Sequence, residues 1–197
     1  MNKKRLLQTI GLTLKRGAGQ RGEYLREKHI LASVGENVYF QPRLVPLYPE
    51  LIKLHNNVMV SAGVRLITHD ASFVVLNRLG KGEFPEKVGC IEVMDNVYIG
   101  YNATIMPNVK IGSNVIVGAG ALVSKDLEPN GVYVGVPAKR ICSFDDYMVR
   151  HCENPDNQGG GGYSYPYVQH NQNISKKEIE KAWEFFETGR SINSGGD

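Results

Sequence analysis

Apolar residues recur at every sixth position through the middle of the chain. From Val93 the series runs Val93, Ile99, Ile105, Ile111, Val117 and Val123. Four positions after each anchor stands Val97, Ala103, Val109, Val115, Ala121 or Leu127, again all apolar. Three positions after each anchor stands Asn96, Asn102, Asn108, Asn114, Gly120 or Asp126, residue types that tolerate left-handed or turn backbone. A period of six excludes an amphipathic helix, whose period is 3.6. Six residues of strand plus turn, repeated, describe one side of a solenoid coil, with the aliphatic anchor stacked inward on its counterpart one coil away. The pattern predicts a parallel β-helix.

The same phase appears upstream. Leu54, Val60 and Leu66 are six apart, with Val58 and Val64 at the second inward site, and Val34 and Phe40 share the spacing. The series breaks twice. Phe40 and Leu54 are 14 apart, which implies two residues inserted around Pro46–Pro49. Leu66 and Val93 are 27 apart, and residues 70–90, with Gly80, Gly82, Pro85 and Gly89, are expected to leave the solenoid as a structureless excursion loop.

The ends carry no such repeat. Leu6, Leu7, Ile10 and Leu14 fall on one helical face, so residues 1–30 are expected to form a helical cap, with Lys3, Lys4, Arg5, Lys15 and Arg16 solvated. Residues 153–174 are rich in Gly, Asn, Gln and Tyr and are expected to be a flexible linker. Ser175 and Glu178 then form a capping pattern, and Ile179, Trp183 and Phe186 make the stripe of a short C-terminal helix. The expected organisation is a cap at 1–30, a repeat domain at 31–141 with its loop at 70–90, and an extension at 142–197.

Composition narrows the function. The 197 residues include 23 Lys+Arg and 20 Asp+Glu, a net charge of +3, too mild to indicate a nucleic-acid partner. No apolar run is long enough to span a membrane, and membrane association is not expected. The three cysteines, Cys90, Cys142 and Cys152, are odd in number and irregularly spaced, which argues for free thiols and a cytoplasmic setting. His55 and His69 lack the close spacing of a zinc site, so no metal is expected.

Four stretches carry a resemblance to a known family: Val34–Phe40, His55–Asp70, Val97–Asp126 and Val132–Ile141. Together they are similar to the left-handed β-helix acyltransferases, in particular the galactoside, maltose and streptogramin O-acetyltransferase group. The resemblance implies a left-handed coil, acetyl-CoA as co-substrate, and a homotrimer with active sites between subunits. It implies that His69, at the end of the regular block and before the loop, is the general base. It matches Glu83, in the Gly82-Glu83 pair, to the residue that orients the base. It also matches Ala119, Ser124, Lys125 and Lys139 to cofactor-contacting positions. Tyr101 departs from the smaller residue usual in the family.

The residues themselves fit this chemistry. Neutral imidazole is the side-chain base best suited to pH near 7. A histidine at a loop boundary can equally cap a turn, and Glu83 can equally be a solvated carboxylate. Gly118-Ala119-Gly120 offers a small-residue edge whose main chain can meet a pantetheine arm, and Lys139 and Arg140 can meet phosphate oxygens. The expected activity is acetyl transfer to a hydroxyl of a sugar or polysaccharide-related acceptor. The alternatives are N-acetylation of an amino sugar carried on a nucleotide, and a non-catalytic assembly module.

Overall fold

A computed structural model describes residues 3–152 and 174–193; the tract at 153–173 lies outside the described residues. The chain divides into two compact units, Met1–Phe144 and Asp145–Asp197.

The first unit is a parallel β-helix with three faces. One face stacks Ser33–Val34, Ile52–Leu54, Ile91–Val93 and Val109–Ile111. The next stacks Arg65–Leu66, Thr104–Ile105 and Leu122–Val123. The third stacks Tyr39–Phe40, Val58–Val60, Val97–Ile99, Val115–Val117 and Gly131–Val134, and is closed by the antiparallel strand Lys139–Ser143.

Register reads out the repeat. Partners in the regular coils are 18 residues apart: Val97 with Val115, Thr104 with Leu122, Ile91 with Val109. Tyr39 pairs with Met59 at a spacing of 20, which bears out the two-residue insertion. Ile52 pairs with Ile91 at 39, so the excursion leaves the register of the coils intact. The last coil is short, with Val115 on Gly131 at 16.

The anchors form columns. Leu54, Val93 and Ile111 stack on one face, and Leu66, Ile105 and Val123 on the next, all buried. The third column runs Phe40, Val60, Ile99, Val117, Tyr133, with an aromatic plug at each end. Burying each aliphatic side chain contributes about 1.5–3 kcal/mol. Tyr133 keeps its hydroxyl satisfied by donating to the Glu128 carbonyl at 2.8 Å.

The corners use asparagine as expected. Asn96, Asn102, Asn108 and Asn114 and Gly120 all have positive φ. One corner is a hydrogen-bonded ladder. Asn57 donates to Asn96 at 2.9 Å, Asn96 to Asn114 at 2.9 Å, and Asn114 to Asn130 at 2.8 Å. Asp126 is the exception to the corner series and is absent from the positive-φ residues. The shortened last coil removes its turn, and its carboxylate instead accepts the Lys110 N–H at 2.7 Å.

Two helices, α1 (Lys3–Thr13) and α2 (Ala18–Glu27), precede the coil. The α2 helix lies against Ser33–Val34 and Tyr39–Phe40, and a Cβ on Gly22 would strike the Val38 carbonyl. Arg21 is buried and donates to the carbonyls of Phe40 at 2.7 Å and Lys15 at 2.7 Å. The expected apolar face of α1 needs correction. Leu6, Leu7, Ile10 and Leu14 are exposed, whereas Thr9 and Leu12 are buried. The packed side is the one that carries Arg5, Thr9 and Leu12: Arg5 donates to the Val45 carbonyl at 2.8 Å and the Thr9 hydroxyl accepts the Val45 N–H at 3.4 Å.

The excursion is not structureless. It opens with the antiparallel pair His69–Asp70 and Lys87–Val88 and contains α3 (Phe73–Asn77). The Asn77 amide acts like a strand residue, with both its oxygen and its nitrogen bonded to the Phe84 backbone at 2.8 Å.

The second unit holds most of α4 (Phe144–Cys152), then α5 (Lys176–Asn193). Ser175 accepts the Glu178 N–H at 3.2 Å, and Trp183 packs edge-on to Phe186 at 5.5 Å.

Candidate active site

Both breaks in the repeat meet at one place. The buried Thr68 hydroxyl donates to the Leu47 carbonyl, tying the end of the second face to the inserted turn. Gly89 N–H closes onto the Thr68 carbonyl at 2.8 Å, so the chain leaves and re-enters the coil at adjacent points. His69 is the first residue outside, paired with Val88.

The ring of His69 is held from the inserted turn. Tyr48, itself at φ 49°, meets it edge-on with centroids 5.9 Å apart. The Tyr48 hydroxyl donates to Glu86 Oε2 at 2.8 Å, on the return arm of the excursion. That hydrogen bond, with some burial, raises the phenol pKa above its usual value. Nδ1 of His69 is buried without a hydrogen-bond partner; Nε2 is not enclosed in this way. Asp70 does not serve the ring. Its oxygens accept the Ser72 N–H at 2.8 Å and the Ser72 hydroxyl at 3.1 Å. Those bonds, then Lys87 and His69, hold its carboxyl below the usual range.

His69 lines two grooves. One, of about 480 Å³, also has Lys87, Met106, Asn108 and Ser124 on its walls. The other, of about 460 Å³, is walled by Arg5, Arg43, Leu44, Arg65 and Ile67 among others. His69 and Ser124, read separately from the sequence, therefore share a groove.

The other expected site residues lie elsewhere in the chain. Glu83 is exposed beyond α3 and makes no bond to the His69 ring. Gly118, Ala119 and Gly120 form an outer corner; Gly120 has φ 69° and donates to the Tyr101 carbonyl at 2.7 Å. Gly118 is also a packing glycine, since a Cβ there would press on Val134. Lys125 is exposed one residue past Ser124. Lys139 and Arg140 are exposed on the closing strand, and Arg140 donates to the Asn130 carbonyl at 3.0 Å. Tyr48 and Glu86 escaped the sequence reading. The available signal was the inserted pair of residues, which had to project somewhere.

The sequence and the fold are similar to those of known proteins. Residues 91–125 match the family described as bacterial transferase hexapeptide (six repeats). The galactoside O-acetyltransferase of Escherichia coli (strain K12) is 33% identical over 115 residues, 57% of this chain and 54% of that one. From Bacillus subtilis (strain 168), "Putative acetyltransferase YvoF" is 32% identical over 127 residues, 64% of this chain and 67% of that one. A crystal structure of a maltose O-acetyltransferase from Clostridium difficile 630 superimposes with a TM-score of 0.51 at 26% identity, over 72% of this chain and 84% of that one. The chain spans little more than half the length of several relatives it matches. It belongs to the hexapeptide-repeat transferase family, whose coil is the left-handed β-helix, and the resemblance read from the sequence is borne out. No helix among the described residues is long and apolar enough to cross a membrane.

Proposed function

We propose that this protein transfers the acetyl group of acetyl-CoA to a hydroxyl of a sugar or polysaccharide-related acceptor. The observation that carries this reading is a histidine at the exit of the coil, facing two grooves, with its Nδ1 buried and its other nitrogen not enclosed. The named relatives, a galactoside and a maltose O-acetyltransferase, favour a sugar acceptor. The thiols of Cys90 and Cys142 are free, which favours a cytoplasmic enzyme.

The chemistry needs few groups. Nε2 of His69 takes the proton from the acceptor hydroxyl as its oxygen attacks the thioester carbonyl. The new C–O bond forms, the C–S bond breaks, and the imidazolium returns the proton to the departing thiolate. No covalent enzyme intermediate is required. The Ser124 groove suits the donor, because the small-residue edge at Gly118-Ala119-Gly120 lies one corner before it in the chain. Lys125, Lys139 and Arg140 are the cations assigned to its phosphates. These lie outside the His69 groove in one chain, which favours a homotrimer whose sites form between neighbouring subunits, with Glu83 of the excursion available as the orienting carboxylate.

The test is His69→Ala. Loss of a positioned general base lowers kcat by about 10²–10⁴-fold, read as free thiol released from acetyl-CoA, while acetyl-CoA still raises Tm. Equal turnover in both proteins removes the base assignment. Absence of any acetyl-CoA shift in the wild type favours a non-catalytic module, and amide rather than ester products move the acceptor to an amine.

A further inference from the structure

The second groove at His69 has an unbalanced charge. Arg5, Arg43 and Arg65 line it, and no Asp or Glu does. Among the described residues neither Arg43 nor Arg65 makes an ion pair; the carboxylates near this end, Glu50 and Glu86, are engaged by Lys4 and Tyr48. Two of the arginines are tied to backbone carbonyls, and Arg65 is exposed on its strand. Arg43 donates through Nη1 to the Thr13 carbonyl at 3.1 Å, and its own carbonyl accepts the Thr13 hydroxyl at 3.0 Å. Arg5 is fixed by its Nε bond to the Val45 carbonyl at 2.8 Å. Arg65 stands on the outward side of Arg65–Leu66, a strand held in register by Thr104. Between them the wall is apolar, with Leu44, Leu47 and Ile67. Arg43 and Arg65, without an ion-pair partner among the described residues, flank this apolar wall, and a guanidinium fork meets an oxyanion in bidentate geometry.

We infer that this groove is the acceptor subsite and that its acceptor carries an oxyanion, a phosphate ester or a carboxylate on the sugar, held by Arg43 and Arg65 while the reacting hydroxyl reaches His69. The inference rests on the acetyl-transfer reading for its reaction, but not for its binding. A neutral sugar would leave Arg43 and Arg65 without a counter-charge and gain only the apolar wall.

Titration calorimetry on the full chain separates the two. The probes are a hexose 1-phosphate, a hexuronate and the neutral hexose, each without acetyl-CoA. At least one anionic probe binds about tenfold or more tighter than the neutral hexose, the value of one charge-assisted contact, and the preference shrinks as salt rises. Arg65→Gln removes about tenfold of that affinity and leaves acetyl-CoA binding unchanged, while Arg65→Lys retains part of it. In turnover the same Gln variant raises KM for the anionic acceptor and spares kcat. Preference for the phosphate or for the uronate assigns which oxyanion is used. Equal affinity for all three probes, or no response to Arg65→Gln in a variant folded by circular dichroism, overturns the inference. If the anions bind through Arg65 but no acetyl group moves, the subsite stands and the transferase reading falls. If acetyl passes equally well to neutral sugars, the reverse holds.

Discussion

Between Ile91 and Val123 the coil repeats without interruption, whereas between Phe40 and Ile91 the same coil is broken twice. The regular stretch is closed on itself: its anchors are buried and its corner amides bond one another. The interrupted stretch carries the exposed chemistry. Its inserted turn supplies Tyr48 and Arg43, its excursion supplies His69 and Glu86, and Thr68 fastens one to the other. The coil thus provides stiffness, and departures from its period provide side chains that converge. Register survives both breaks because the anchors realign on each return, so an insertion at a corner costs the stack little.

This contrast predicts a division of effects. The His69→Ala loss of turnover described above should come with little change in Tm, since the ring lies outside the anchor columns. Ile105→Ala, in the middle of a column, should do the opposite. It removes about 2–5 kcal/mol of stability in urea melts and leaves kcat per folded molecule unaltered. An Ile105→Ala protein that lost turnover per folded molecule while keeping its stability would place the site inside the regular coils and undo the contrast.

Smaller effects sharpen it. Asn96→Ala breaks two rungs of the amide ladder and puts a Cβ residue without a local hydrogen bond at φ 59°. We expect a loss of about 1–2 kcal/mol. Asn96→Gly should recover the backbone share, so the difference between the two melts isolates the ladder. Tyr48→Phe keeps the ring against His69 but releases Glu86. It should lower kcat a few-fold and alter the pH profile of kcat with Tm unmoved; an unchanged pH profile would leave Tyr48 a packing residue only.

The least effect belongs to the outer surface of the regular coils. Glu92 bonds His55 at 3.1 Å and pairs with Lys110 at 3.3 Å. The His55 bond first, then Lys110, hold its carboxyl below the usual range despite partial desolvation. A depressed carboxyl contributes stability above its unfolded pKa and loses it as pH falls through the folded value. Glu92→Gln should therefore cost about 0.5 kcal/mol at pH 7, discounted for exposure, and the gap to the wild type should close as pH falls through the lowered folded value. A gap that persists in acid would assign the loss to packing.

Much of the architecture was legible from residue order alone. Spacing of aliphatic anchors is a local property, repeated often enough to fix the coil, its corners, the inserted pair near Pro46–Pro49 and the exit at His69. Misreadings arose where a local pattern competed with a distant partner. Leu6, Leu7, Ile10 and Leu14 make the apolar stripe of α1, yet the side that packs is the one whose Arg5 and Thr9 bond Val45, some 36 to 40 positions away. Asp126 looked like a corner residue, yet the shortened final coil gave its carboxylate another task.

The sequence by itself determined the repeat, the buried columns and the histidine left standing where the repeat stops. Only the tertiary structure decided what surrounds that histidine. Tyr48, Arg43, Arg65 and Ser124 are scattered along the chain and carry no common motif. They meet because stacking residues 18 to 39 positions apart superposes corners, and a corner's neighbours across coils are set by register rather than by adjacency in the chain.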